Sequence, residues 1–168
     1  PCMLAPGLVR RKLATLTKQI LDRFGVQPVA YRSGRYGSSA AHTPFLLEMG
    51  YRVETSVCPF VSHARYGGPD YFTAPLSSYW LGQRSMLEAE TSGELLCVPI
   101  SAGFNRADFE TMSRIYRRLI GPGLRRLHLV GVLHRLRLLR LIRLNPEMTS
   151  LADMICLCRT LLQRDVVS

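Results

Sequence analysis

The sequence predicts an α/β protein in which strands and helices alternate around a parallel sheet. Three observations carry that expectation. Runs rich in apolar and β-branched residues, VAY (29–31), YRVETSV (51–57) and ELLCVPIS (94–101), are separated by segments of helical periodicity. Glycine and proline stand at the junctions, as at Gly25, Pro28, Gly50 and Gly121-Pro122-Gly123. Small, polar or charged residues follow each predicted strand, at the carboxyl end where βα folds keep their chemistry. With 168 residues and 47% apolar side chains, the chain has the length and composition of a single domain spanning 1–168.

The first helix is predicted from Val9, Leu13, Leu16, Ile20 and Phe24, spaced three and four apart with Arg10, Arg11, Lys12 and Asp22 on other faces. Gly25 ends it and Pro28 prevents its resumption. After the strand at 29–31 comes RSGRYG, then Ser38 or Ser39 as the cap of a helix running to Met49, closed by Gly50. The stretch from Cys58 to about Gly93 reads as irregular and rich in aromatics, and a loop of that length in a compact domain points to function. ELLCVPIS is the clearest strand, apolar enough for burial on both faces. Asp108 starts a helix broken at Gly121. Residues 124–144 read as a helix turning to strand near Leu141, an outer helix with leucines inward and arginines solvated. Ser150-x-x-Asp153 opens the last helix, to about Arg164, and Asp165–Ser168 reads as the start of a further strand.

Charge is less ordinary: 22 Lys plus Arg stand against 12 Asp plus Glu, and the only lysines are Lys12 and Lys18. A surplus of this size suits nucleic acid, an anionic membrane or an acidic polymer, but no compact basic block of the kind that marks a nucleic-acid arm occurs. Five scattered cysteines (Cys2, Cys58, Cys97, Cys156, Cys158) argue against a disulfide framework and for buried thiols in a reducing, cytoplasmic setting. No apolar run approaches the ~20 residues that cross a bilayer. His42, His63, His128 and His134 lack metal-ligand spacing, so no metal is assigned to them.

Three predicted strand ends converge on one rim: Arg32 to Gly37, Ser56 to Phe60 and Ser101 to Asn105. Arg32 and Arg35 sit there among Gly34, Tyr36 and Gly37, the glycines allowing a tight turn. At these residues the chain resembles the polysaccharide deacetylase family. PVAYRSGRYG (28–37) is similar to its arginine motif, with Gly34 at a turn position often held by proline. GYRVETSVCPF (50–60) is similar to the next strand and loop, with Glu54 where aspartate is usual. GGPDYFTAP, YWLG and LLCVPIS extend the likeness, so that it covers about residues 10–105, and residues 106–168 form a less specific helical tail.

The resemblance implies a partial, distorted β/α barrel, incomplete at both ends, from a hydrolase that cleaves carbon–nitrogen bonds of N-acylated sugars. It implies a divalent metal, commonly zinc, held by two histidines and an aspartate, with an aspartate base and a histidine acid. None of those ligand motifs is found in these 168 residues, so the expectation is an internal fragment of a longer enzyme that binds no metal and is inactive alone. The resemblance assigns Arg32 to hold a catalytic carboxylate by a charge-assisted fork that lysine cannot copy. Arg35 orients acidic neighbours or a substrate oxygen. Ser56 and Pro59 line the acyl groove, and Gly37 allows close backbone approach. Tyr36, Tyr79 and Trp80 have the flat faces and polar handles that suit a sugar. Glu54 either joins a charge network with Arg32 or faces solvent. The carbohydrate partner is favoured over the alternative, a non-enzymatic basic module for nucleic acid or another anionic polymer.

Overall fold

The computed structural model describes residues 4–82, 84–147 and 149–164. Residues up to Ile100 form one compact unit and residues from Ser101 another.

In the first unit, α1 (Pro6–Phe24) starts with proline in its first turn, where a missing N–H costs nothing. It ends at Gly25, which adopts the left-handed conformation (φ 66°) and donates its N–H to Leu21 O. Val9, Leu13 and Thr17 are its buried face. The Thr17 hydroxyl lies 3.0 Å from the Tyr51 hydroxyl, so a polar pair is satisfied inside the core. The strand β1 (Ala30–Tyr31) is followed by a 3-10 turn at Gly34–Tyr36 and a second at Ala40–His42. Ser39 caps that second turn by accepting from Ala41 N, and the helix α2 (Thr43–Glu48) continues from it. Gly50 (φ 84°) turns the chain where a Cβ would meet Gln27 Nε2 at 3.1 Å.

The strands β2 (Val53–Glu54), β3 (Tyr79–Leu81), β4 (Ala89–Glu90) and β5 (Leu96–Cys97) complete an open sheet in the order β1-β2-β5-β3-β4. The β1–β2 and β2–β5 pairs are parallel, with Tyr31 opposite Glu54 and Glu54 opposite Cys97. The helix α2 connects β1 to β2 as the expected alternation requires, but a 3-10 turn at Ala64–Tyr66 and the β3–β4 pair, not an α-helix, lie between β2 and β5, and no closed barrel occurs among the described residues. The long segment after Cys58 is not wholly irregular. Trp80 pairs with Glu90 in a hairpin, and β3 also lies antiparallel to β5. Tyr31, Leu46, Tyr51, Val57, Tyr71 and Leu95 are buried in the core of this unit.

The second unit is built on an antiparallel pair, β6 (Ala102–Phe104) with β7 (Leu141–Arg143). Helix α3 (Phe109–Ile120) is capped by Asp108, whose carboxylate accepts from Thr111 N at 3.0 Å. The Phe104 ring packs edge-on against Phe109 and Tyr116. Helix α5 (Leu151–Gln163) begins with the predicted box: Ser150 Oγ accepts from Asp153 N and donates to Asp153 Oδ2 at 2.7 Å. Arg140 forks onto the same carboxylate, at 2.9 and 2.7 Å.

Two expectations are corrected in this unit. The strand expected near Leu141 is present as β7, but the residues before it are not one helix: a 3-10 turn at Arg125–Leu127 and the short helix α4 (Leu129–Arg135) take its place. His128 (φ 50°) and Arg137 (φ 57°) take left-handed conformations on either side of α4, which stop the helical repeat. The leucines do not all turn inward, since Leu127 and Leu136 are each 61% exposed and Val132 52%. Cys156 and Cys158 are exposed instead of buried, while Cys58 and Cys97 are buried as expected. Cys2 and the strand expected at 165–168 lie outside the described residues. No helix among the described residues is long and apolar enough to cross a membrane.

Candidate functional site

Parallel pairing brings the loops after β1 and β2 to the same end of the sheet, where they are laced together. Arg32 Nε donates to both the carbonyl and the hydroxyl of Thr55, each at 3.2 Å. Ser33 N donates to Ser56 Oγ at 2.7 Å, and Thr55 Oγ1 donates back to Tyr31 O. Arg32 is exposed, and its terminal guanidinium nitrogens make no hydrogen bond among the described residues. It therefore holds a loop with one donor and presents the remaining N–H groups outward. No carboxylate among the described residues pairs with it directly.

Glu54 lies beneath that lacing and is fully buried. One carboxyl oxygen accepts from Ser56 N at 3.0 Å, and the other has no partner among the described residues. Burial raises its pKa above the ordinary carboxylate value, against the opposing pull of Ser56, Ser38 and the positive charge of Arg32. The alternatives for this residue thus resolve: it faces the interior and feels Arg32, and it is not solvated. Cys97, its register partner, is pushed up to about 12 by burial and by the Glu54 charge, with a Tyr79 hydrogen bond acting the other way. Tyr79 is raised too, first by burial. A carboxyl, a thiol and a phenol thus share one low-dielectric region, and each favours its neutral form.

The Ser33–Gly37 turn is held in an unusual shape. Arg35 (φ 53°) and Tyr36 (φ 56°) both occupy the left-handed region, which costs non-glycine residues roughly 1–2 kcal/mol each. The positive φ angles of the turn thus fall on Arg35 and Tyr36, not on Gly34 or Gly37, which flank them at its two ends. The turn persists because Tyr71 OH donates to Tyr36 O at 2.9 Å and to Ser38 O at 3.2 Å. In addition, the Tyr36 ring stacks on His63 with centroids 5.6 Å apart. Backbone strain clamped from outside is the pattern of a positioned loop.

The other predicted site residues divide by exposure. Arg35 is exposed on the turn, and Tyr36 and Trp80 are half-buried. Gly37, Ser56 and Pro59 are buried, with the Ser56 hydroxyl occupied by Ser33 N. Tyr79 belongs to the core and donates its hydroxyl proton to Met86 O, so its place is the wall behind the site. Ser38, Tyr71 and Cys97 join the cluster, although the sequence marks Ser38 only as a helix cap, Tyr71 only as one aromatic of the long loop and Cys97 only as a buried thiol. The alternation of ELLCVPIS put Cys97 within reach of inference, whereas nothing local marks Tyr71 as the clamp of a turn 35 residues earlier.

The zinc implied by the family resemblance finds no seat: among the described residues no three of His, Cys, Asp and Glu converge. Compared with known protein families, curated proteins and solved structures, the chain matches none.

Proposed function

We propose that residues 28–101 form the arginine and groove part of a polysaccharide deacetylase-like hydrolase site, acting on carbon–nitrogen bonds of N-acylated sugars. The observation that supports this most is the exposed guanidinium of Arg32, tied to Thr55 by Nε and felt electrostatically by the buried Glu54 carboxyl. Its terminal N–H groups suit a carboxylate or an acyl oxygen. Glu54 anchors the Ser56 loop from beneath, and the clamped turn holds Arg35 and Tyr36 at the rim. With no metal site among the described residues, the 168-residue chain alone is expected to release no amine from N-acetylated oligosaccharides.

Binding tests the reading directly. Titration of the ¹⁵N-labelled chain with N-acetylated chitotetraose should shift the amides of Arg32, Ser33 and Ser56, and cellotetraose should not. Equal shifts with both, or none with either, would overturn it.

The distribution of charge favours a second reading. Residues 101–168 carry 12 arginines against 5 acids, and Arg118, Arg126 and Arg135 have no ionic partner among the described residues. A basic module for nucleic acid or another anionic polymer would show tight filter binding of DNA with a steep salt slope. Weak binding that is insensitive to salt removes that reading.

A further inference from the structure

A cavity of about 390 Å³ opens between the segment after the clamped turn, the Gly67–Tyr71 loop and residues 84–87. It is within the range of small-molecule sites and has room for one sugar ring. Two opposite charges, Asp70 and Arg84, line it. They form no ion pair with each other or with any other described residue. Asp70 uses one oxygen to accept from Phe72 N at 3.0 Å, which orients the carboxylate and leaves the other oxygen available. Arg84 makes no hydrogen bond among the described residues.

The frame of the cavity is preorganised. Tyr71 pins the Ser38 backbone, and a Cβ at Gly68 would lie 2.7 Å from His63 Cβ, so the loop admits no side chain there. Ser38 belongs to the wall and directly follows Gly37 of the clamped turn. The cavity is thus one residue away from the candidate site.

We infer that this cavity binds an acidic sugar unit, with its carboxylate on Arg84 and a pair of hydroxyls on Asp70. A guanidinium takes a carboxylate by two parallel hydrogen bonds, and an oriented carboxylate accepts from neighbouring hydroxyls. A ligand meeting both groups must carry an anion and hydroxyl donors on one small frame. That the occupant is a sugar rests on the deacetylase-like reading; that it meets Arg84 and Asp70 together does not.

The test is a ¹⁵N titration of the full chain with sodium glucuronate, glucose and sodium acetate. Glucuronate should shift the amides of Ser39, Gly67, Gly68 and Tyr71 and saturate. Arg84→Gln should weaken that response about tenfold, the effect of losing a charge-assisted pair. Asp70→Asn keeps the acceptor for Phe72 N and should weaken it severalfold. No response to glucuronate overturns the proposal, as does one that survives Arg84→Gln, or one that glucose or acetate matches. Arg32, Ser33 and Ser56 report chitotetraose in the same spectra, so failure there with an intact glucuronate response removes the deacetylase reading and leaves the cavity.

Discussion

Residues 1–100 carry 10 basic side chains against 7 acidic ones, and residues 101–168 carry 12 against 5. The first unit is organised on parallel strands that bury a carboxyl, a thiol and a phenol together. The second is organised on one antiparallel pair whose polar link is an arginine–carboxylate fork, and it leaves long aliphatic side chains in water. The difference shows that apolar content alone does not decide burial. Residues 124–144 are among the most leucine-rich of the chain, yet arginines recur so closely that no wide apolar stripe forms. Where parallel strands supply partners from far along the chain, even Glu54 is enclosed. Where the helical repeat is broken at His128 and Arg137, leucine stays exposed.

Substitutions in each unit sharpen this contrast, and the largest effect is expected in the second. A Cβ at Gly103 would stand 2.4 Å from Phe109 Cζ and 2.7 Å from Leu157 Cδ1, in the only strand pair described there. Gly103→Ala should cost about 3 kcal/mol through overpacking, read by urea unfolding and by faster hydrogen exchange at 102–104. Next comes Arg140→Ala, which strips the fork from Asp153, a pair whose side chains are 19% and 17% exposed. Its expected cost is about 2 kcal/mol, reduced from that of a fully buried pair because water reaches both groups.

In the first unit, Tyr71→Phe removes the donor that holds Tyr36 O and Ser38 O, and should cost about 1–2 kcal/mol. It should also broaden the amide signals of Arg35 and Tyr36, because Tyr71 holds the carbonyl of Tyr36 directly. An unchanged turn would mean that the strain is held elsewhere.

Glu54 yields a change of slope. An unfolded glutamate titrates near ~4.3, and burial raises the folded value above that. Between the two values the native state holds the extra proton, so stability falls as pH rises through that window. Below the unfolded value the group is neutral in both states; above the folded value the full cost of burying the charge is present. Glu54→Gln should therefore flatten the fall of the denaturation midpoint with pH above the unfolded glutamate value and stabilise the chain most at the alkaline end of that fall, with no advantage at the acid end. A variant that loses stability equally at every pH would contradict the buried-acid account. The smallest effect is predicted for Lys18→Ala, since the Lys18–Asp22 pair is exposed and screened. Its unfolding midpoint should not move within error.

Much of the fold was legible where the cause is local. The Gly25 stop, the Asp108 cap and the Ser150–Asp153 box each depend on a few neighbouring residues, and each is present. The missed elements depend on distant partners. Ala102-Gly103-Phe104 has no strand signature of its own and becomes β6 by pairing with residues near 142. The β3–β4 hairpin joins Trp80 to Glu90 through a segment that reads as loop. Arg32 and Arg35 could be singled out because a glycine-rich turn after a strand is a short-range pattern. The role of Tyr71 could not.

The sequence by itself determined the Gly25 stop of the first helix, the Asp108 and Ser150 starts of two others, the concentration of arginine after residue 100, and the placement of Arg32 at a strand end. Such features follow from backbone preferences and side-chain charge within a few residues. Only the tertiary structure decided that Glu54 is sealed against Cys97 and Tyr79, that Arg32 binds Thr55, and that Asp70 and Arg84 share a cavity unpaired. The reason is that burial, pKa and charge pairing are set by whichever atoms the fold brings close, and those atoms lie tens of residues apart in the chain.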